Sequence, residues 1–347
     1  MAKTWRGGMV GAGFWSERQL RGWAGVKNAE IIALCDRHPD RRQPMMEKFT
    51  IPHGFNDFNE MLDEMDLDFV DICVRPYSHA LLVKGAAERG LPVLCQKPFC
   101  TSLEEAIEVV DLCKKSGVRL MINENYRWEP WYRKAKELLD SGVLGKPFLA
   151  RHQFRNRFTI PQFKSGQAYF AEMPMLLGYE MGPHYLDAFR FLFGDPDSIF
   201  ARMHSVSPYM VGDDVLAVVL GYPELTCLIH TSWASVRVPG VDIPEEKYGG
   251  RVPHLLEIDG TEGTLILKSD ASMHLFGDRG HHQQWQLPKE AMVHNILATQ
   301  QHFIDCLETG VEFETSGEYN LKTMAMVYAC YRSVEEGRVI NVSELSR

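Results

Sequence analysis

The sequence predicts a two-domain α/β chain. Three observations predict it: short continuous apolar runs alternate with helical segments through the first third, the rhythm changes near Glu124, and strand-like segments crowd the region after Ile199. Strands that are apolar on both faces and separated by helices belong to a parallel sheet covered on both sides. Later strands joined by short turns belong to an α+β domain. The boundaries read as 1–123 and 124–347.

In chain order, Gly8 to Val10 is a short apolar strand that ends in Gly11-Ala-Gly13-Phe-Trp-Ser16, and Glu17 to Trp23 has a helical pattern. Glu30 to Asp36 is an apolar strand closed by an acid, followed by a helix over Asp40 to Phe49. Phe69 to Val74 and Pro92 to Cys95 are further strands, with a helix from His79 to Arg89 between them. Ser102 with Glu105 forms a capping box that opens a helix through Lys115, stopped at Gly117. Arg119 to Asn123 completes the first sheet. Beyond it lie a helix from Trp131 to Leu139, a strand from Phe148 to Phe154 and a helix from Gly182 to Phe193. Strands follow at Val215 to Tyr222, Leu225 to Trp233, Leu255 to Asp259 and Thr264 to Lys268. The Gly260-Thr-Glu-Gly263 turn makes the last two antiparallel neighbours. Helices at His294 to Leu307 and Asn320 to Glu336 close the chain.

The 347 residues carry 37 basic and 46 acidic side chains, a net charge of −9, with 45% hydrophobic and 24% charged residues. That balance is globular, which excludes disordered, collagenous and coiled-coil classes. A negative surface disfavours nucleic acid and anionic membranes, so the expected partner is a small molecule. No run approaches the length of a membrane span, and the N-terminus lacks the pattern of a secretory signal. The eight cysteines form no CxxC pair, and several sit in apolar runs, as Cys73 and Cys95 do. They read as reduced core thiols of a cytoplasmic protein. The Asn341-Val-Ser343 sequon then reads as chance. His281-His282 and Asp213-Asp214 lack further ligands at useful spacing, so no metal is expected and both pairs read as loop polarity.

Gly11-x-Gly13-x-x-Ser16 follows a strand and opens a helix, and Asp36 closes the next strand about twenty residues later. In a dinucleotide-binding turn the first glycine permits the tight bend, the second lets pyrophosphate approach, and the helix N-terminus offers amide donors. Asp36 would accept the adenosine ribose hydroxyls and repel a 2′-phosphate, which favours NAD. Arg37 and Arg41 are able to clasp that phosphate, so NADP stays open.

Further motifs fall in order along nearly the whole chain: Arg75-Pro76-Tyr77-Ser78-His79, Cys95-Gln96-Lys97-Pro98, Tyr126-Arg127, Glu180-x-Gly182-x-His184-x-x-Asp187, Gly260 to Gly263, and Tyr331 to Gly337. With the glycine turn and Asp36 they resemble the glucose-fructose oxidoreductase, inositol dehydrogenase and MocA (Gfo/Idh/MocA) family of NAD(P)-dependent sugar and polyol oxidoreductases. The resemblance implies a doubly wound Rossmann domain and a C-terminal α+β domain with a large, mostly antiparallel open sheet. The outer face of that sheet would form a homodimer or homotetramer, and the C-terminal helix is left able to pack back on the first domain. The implied cofactor set is Gly11, Gly13, Phe14, Trp15, Asp36, Arg37, Arg75, Pro76, His79, Gln96, Lys97, Asn125 and Arg127. Gln96 stands where the family has Glu before the lysine, and Glu180 where Asp is more usual.

The chemistry can be argued beside the resemblance. Oxidising an alcohol or hemiacetal requires a base on the hydroxyl as hydride leaves the same carbon, and histidine, with an unperturbed pKa of about 6.5, suits that task. An ammonium beside the oxygen stabilises developing negative charge. His184 is therefore the expected base, Lys97 the polariser and proton-relay partner, and Glu180 the residue that orients one of them. If residues 178–193 form one helix, Glu180, His184 and Asp187 share a face, and Asp187 accepts from a second substrate hydroxyl. Arg155 and Asn156 are candidates for further hydroxyl contacts, and His79 reads as structural. Tyr126, Trp128, Trp131 and Tyr132 either wall the site or pack in a helix core.

The expected reaction is oxidation of an aldose at C1 to a lactone. Among aldoses the resemblance leans to pentoses such as apiose, and a ring hydroxyl of an inositol-like polyol is the alternative. An NAD-dependent glycosidase and a non-catalytic nucleotide-responsive regulator are the competing classes.

Overall fold

Which strand lies beside which decides where a ligand can sit in an open α/β sheet. The computed structural model describes residues 3–155, 167–235, 255–288 and 291–345. The chain divides into two units, Met1–Trp128 with Met292–Met324, and Glu129–Ala291 with Ala325–Arg347.

The first unit holds β1 (Trp5–Val10), β2 (Ala29–Cys35), β3 (His53–Phe55), β4 (Phe69–Ile72), β5 (Val93–Cys95) and β6 (Leu120–Ile122). All pair in parallel, in the order β3-β2-β1-β4-β5-β6. Every residue of β4, β5 and β6 is buried, as continuous apolar runs covered on both faces require. The helices are α1 (Phe14–Trp23), α2 (Pro39–Phe49), α3 (Phe58–Glu64), α4 (His79–Glu88) and α5 (Leu103–Lys115). The strand order reverses between β1 and β4, and that switch point is the ligand crevice of this topology. At the start of α5 the Ser102 hydroxyl accepts from the Glu105 amide at 3.1 Å. The Glu105 carboxylate reaches one residue further out than a capping box expects, to the Thr101 amide at 3.0 Å and hydroxyl at 2.8 Å.

The second unit contains α6 (Pro130–Asp140), α7 (Leu177–Glu180) and α8 (Gly182–Phe193). Its strands are β7 (Pro147–Arg155), β8 (Ser198–His204), β9 (Val215–Gly221), β10 (Thr226–Ser232), β11 (Leu255–Gly260), β12 (Gly263–Leu267), β13 (Ser272–Gly277), β14 (His282–Gln286) and β15 (Ile340–Asn341). They form one sheet in the order β14-β13-β12-β11-β7-β10-β9-β8-β15. All of its pairs are antiparallel except β7 with β10. In β9, Leu216, Val218 and Leu220 are buried while Ala217 and Val219 are exposed, the period-two signature of a sheet with one covered face.

Two closing helices follow, α9 (Ala291–Thr309) and α10 (Gly317–Glu336). The sequence starts the second domain at 124 and leaves the C-terminal helix able to pack back on the first; the structure counts residues 124–128 and 292–324 in the first unit. The reason is apolar packing. Phe303, Ile304 and Cys306 of α9, with Phe313, enter one buried cluster with Trp23, Phe69, Leu94 and Met121. Phe303 meets Phe69 edge-on at 5.5 Å and stacks on Phe313 at 5.2 Å. Such a face is worth about 1.5–3 kcal/mol for each large side chain taken from water. All eight cysteines are free and buried. Burial pushes the thiols up, to about 12 at Cys35 and about 11 at Cys113.

Candidate active site

The turn after β1 is shaped by two glycines with different tasks. Gly11 has φ of +103°, and a Cβ there would lie 2.2 Å from the Cys73 carbonyl oxygen at the exit of β4. Gly13 is in ordinary extended conformation, and a Cβ there would meet nothing within 4 Å. It is the space in front of this residue, at the start of α1, that stays open. Ser16, at the third position of the motif, closes the turn. Its hydroxyl accepts from the Gly13 amide at 3.1 Å and donates to Cys73 O at 3.3 Å. Asp36 braces the same loop, accepting from the Ala12 amide at 2.7 Å and the His38 amide at 2.8 Å. Each of its oxygens keeps a second lone pair for a ribose hydroxyl. Arg18 stacks over Phe14 at 3.8 Å and reaches Trp15 at 5.7 Å. Arg37 is exposed, its Nε 3.3 Å from His38 Nε2.

The remaining first-unit candidates gather on the carboxyl edge of the sheet. Arg75 and Pro76 follow β4, and Gln96 and Lys97 follow β5. The Lys97-Pro98 bond is cis. His79 is fully buried and staples these loops together: Nδ1 lies 3.1 Å from Pro98 O and 2.9 Å from Phe99 O, and Nε2 lies 3.0 Å from Val74 O. Burial lowers its pKa, against the pull of those carbonyls. Asn125 donates to Asn295 Oδ1 at 2.9 Å. Arg127 is buried against Glu314 O at 3.1 Å, the Glu314 carboxylate at 3.6 Å and the Tyr319 ring at 4.5 Å. These two expected cofactor residues are thus set against residues 295–319 of their own unit. Gln96 Nε2 is buried with no hydrogen-bond partner among the described residues. The open glycine turn, the acid at the end of β2 and this orphaned donor on the same sheet edge together suit a dinucleotide.

In the second unit Glu180, His184 and Asp187 are all buried. The expected single helix over 178–193 is broken: Glu180 ends α7, Met181 turns the chain, and α8 begins at Gly182. Pro183 explains the break, since it has no amide to donate and its ring crowds the carbonyl four residues back. Asp213 holds the turn that carries Glu180. It accepts from the Leu176 amide at 2.9 Å, the Gly178 amide at 2.6 Å and the Tyr331 hydroxyl at 2.8 Å. Asp214 accepts from the Val206 and Ser207 amides at 2.8 and 2.7 Å. The Asp213-Asp214 pair is therefore buried loop bracing, where the sequence suggested mere loop polarity. His282 likewise lies in β14, stacked on Phe276 at 4.7 Å and 3.0 Å from His274 Nδ1. Trp131 and Tyr132 pack in the core, where Tyr132 Oη lies 3.3 Å from His152 Nδ1. Arg155 ends β7 and donates to Ser235 Oγ at 3.1 Å, whereas Asn156 lies outside the described residues.

Residues 5–124 match the oxidoreductase family with an NAD-binding Rossmann fold, and residues 132–266 match the GFO/IDH/MocA C-terminal domain. The chain belongs to the Gfo/Idh/MocA oxidoreductase family. It is 35% identical over 353 residues to a D-apiose dehydrogenase of Paraburkholderia graminis, covering 99% of this chain and 91% of the relative. A D-apiose dehydrogenase of Rhizobium rhizogenes is 34% identical over 350 residues, covering 98% of both chains. The crystal structure of an oxidoreductase from Agrobacterium radiobacter in complex with NAD+, L-tartaric acid and magnesium superposes with a TM-score of 0.91. That protein is 33% identical, and the match covers 99% of this chain and 100% of the other.

As a Gfo/Idh/MocA oxidoreductase the protein uses NAD. Two functional neighbours escaped the sequence reading. Asp213 was read there as loop polarity. Glu124 stands two residues beyond β6, after Asn123, and an acid just past an apolar strand was the signal available for it. Glu124 is fully buried, and burial pushes its carboxyl up to about 7 while Lys97 and Arg127 pull it down. Among the described residues, no helix is long and apolar enough to cross a membrane.

Proposed function

We propose that this oxidoreductase is a cytoplasmic dehydrogenase that converts D-apiose, at its anomeric carbon, to the lactone. Near-full-length identity to two D-apiose dehydrogenases carries the substrate choice. When bound, NAD+ supplies the hydride acceptor. His184 takes the proton of the C1 hydroxyl as the C1 hydride leaves, so one hydride and one proton are removed and a C=O bond forms. Lys97 donates a hydrogen bond to the same oxygen and stabilises the charge that develops there. Glu180 orients His184 or Lys97, and Asp187 and Arg155 receive the other sugar hydroxyls. The protein associates with copies of itself through the outward face of the nine-stranded sheet, where Val219, Leu228 and Phe276 are 36–40% exposed.

Purified protein with NAD+ and a panel of D-apiose, other aldoses, myo-inositol and aryl glycosides tests this reading. NADH formation, highest in kcat/KM with D-apiose, is expected. NADH with myo-inositol alone would move the substrate to the polyols. Glycoside cleavage without net NADH would replace the dehydrogenase by a glycosidase, and binding of NAD+ with neither reaction would leave a regulator.

A further inference from the structure

Lys97 stands two residues beyond Cys95, the end of β5, and Glu124 two residues beyond Ile122, the end of β6. Cys95 and Ile122 are partners in the parallel register, and the Asn123 amide donates to Cys95 O at 2.8 Å, carrying the pairing one residue further. The chain turns just after β6, where the Glu124 amide donates to Ile122 O at 2.8 Å, so Lys97 and Glu124 both leave neighbouring parallel strands at the same end. That end is the carboxyl edge of the sheet, where ligands bind. The residue before Lys97 is the neutral Gln96, and the acid that follows the next strand is Glu124.

Burial of a carboxylate is costly unless a cation opposes it. Glu124 is fully buried, and the charged groups that act on it are Lys97 and Arg127. Arg127 is engaged by the carbonyl and carboxylate of Glu314 and by the Tyr319 ring. Lys97 is half-buried. We propose that Glu124 is the positioning residue for Lys97, its carboxylate holding the ammonium as a charged donor at the sheet edge where the substrate hydroxyl binds. This inference rests on the role proposed for Lys97. Protonation of Glu124 releases the anchor, so its effect on turnover depends on pH.

Glu124→Gln keeps the side-chain volume and removes the charge. Its kcat is expected to fall at least about tenfold below wild type near pH 8.5, and the gap to close to under about twofold near pH 5.5, where the wild-type carboxyl is already protonated. NAD affinity is expected to stay within about twofold. The second measurement uses no Glu124 variant and no cofactor. The carboxyl 13C resonance of Glu124 is titrated in the wild type and in Lys97→Met, and its midpoint is expected to move upward when the ammonium is lost. A pH-independent loss in Glu124→Gln, or an unmoved midpoint in Lys97→Met, overturns the proposal while leaving Lys97 in its role. Wild-type turnover by Lys97→Met overturns the role of Lys97 itself.

Discussion

At the scale of single residues, Gly11 and Gly13 separate conformational need from ligand space. Gly11→Ala places a Cβ against the Cys73 carbonyl at a φ that side chains avoid, a backbone cost alone of about 1–3 kcal/mol. The variant is expected to lose both thermal stability and NAD binding. Gly13→Ala meets no neighbour and keeps ordinary geometry, so its melting temperature should match wild type while NAD affinity falls at least about tenfold. Melting curves paired with NADH fluorescence titration check the contrast, and equal affinity in Gly13→Ala would remove the pyrophosphate from that space. His184→Ala and Lys97→Ala are each expected to lower kcat by about 10²-fold or more with NAD affinity little changed. Stopped-flow turnover and cofactor titration read the two effects separately.

Two segments illustrate how elements are placed by contacts distant in sequence. Phe303 is fully buried between Phe69 and Phe313, so Phe303→Ala should cost about 3–5 kcal/mol in urea unfolding of the first unit. A loss under about 1 kcal/mol would mean that α9 does not cover that sheet face. Asp213 accepts two backbone amides of residues 176–178, and an asparagine would point its amide at one of those donors. Asp213→Asn is expected to cost about 1–3 kcal/mol and to lower kcat, because the turn it holds carries Glu180. Tyr331→Phe removes one donor only and should fall between that variant and wild type in both readouts.

Across the whole molecule, buried ionisable groups link stability to pH with opposite signs. Asp71 is fully buried, bonded to the Trp23 indole at 2.7 Å, and burial pushes its carboxyl up to about 7. The folded chain then keeps a proton that the unfolded chain releases near pH of about 4, so this group's contribution to stability falls as pH rises from about 4 to about 7. His152, stacked on Tyr185 at 4.7 Å, is pushed down by burial to about 3. The unfolded chain binds a proton there that the folded chain refuses, so stability falls as pH drops from about 6.5 toward 3. Asp71→Asn removes the first slope alone. Its stability relative to wild type should rise between about pH 4.5 and about pH 7, as read by urea melts, and a flat difference would take Asp71 out of the linkage. The association proposed for the nine-stranded sheet predicts that Leu228→Glu yields monomers in light scattering, with the far-ultraviolet spectrum unchanged.

The sequence by itself determined the alternation of apolar strands and helices, the glycine turn with its acid, the reduced thiols of the core and the family motifs. Each of these is written in a window of a few residues, through period, turn chemistry or residue size. The tertiary structure decided which strands became neighbours, and with that whether an acid at the end of one strand faces a lysine at the end of another. It drew residues 292–324 into the first unit through the aromatic cluster around Phe69. It also divided the stripe of Glu180, His184 and Asp187 at Met181, although Pro183 already carried that message. Pairing and register depend on surfaces buried between residues far apart in the chain, and no local pattern specifies that partnership.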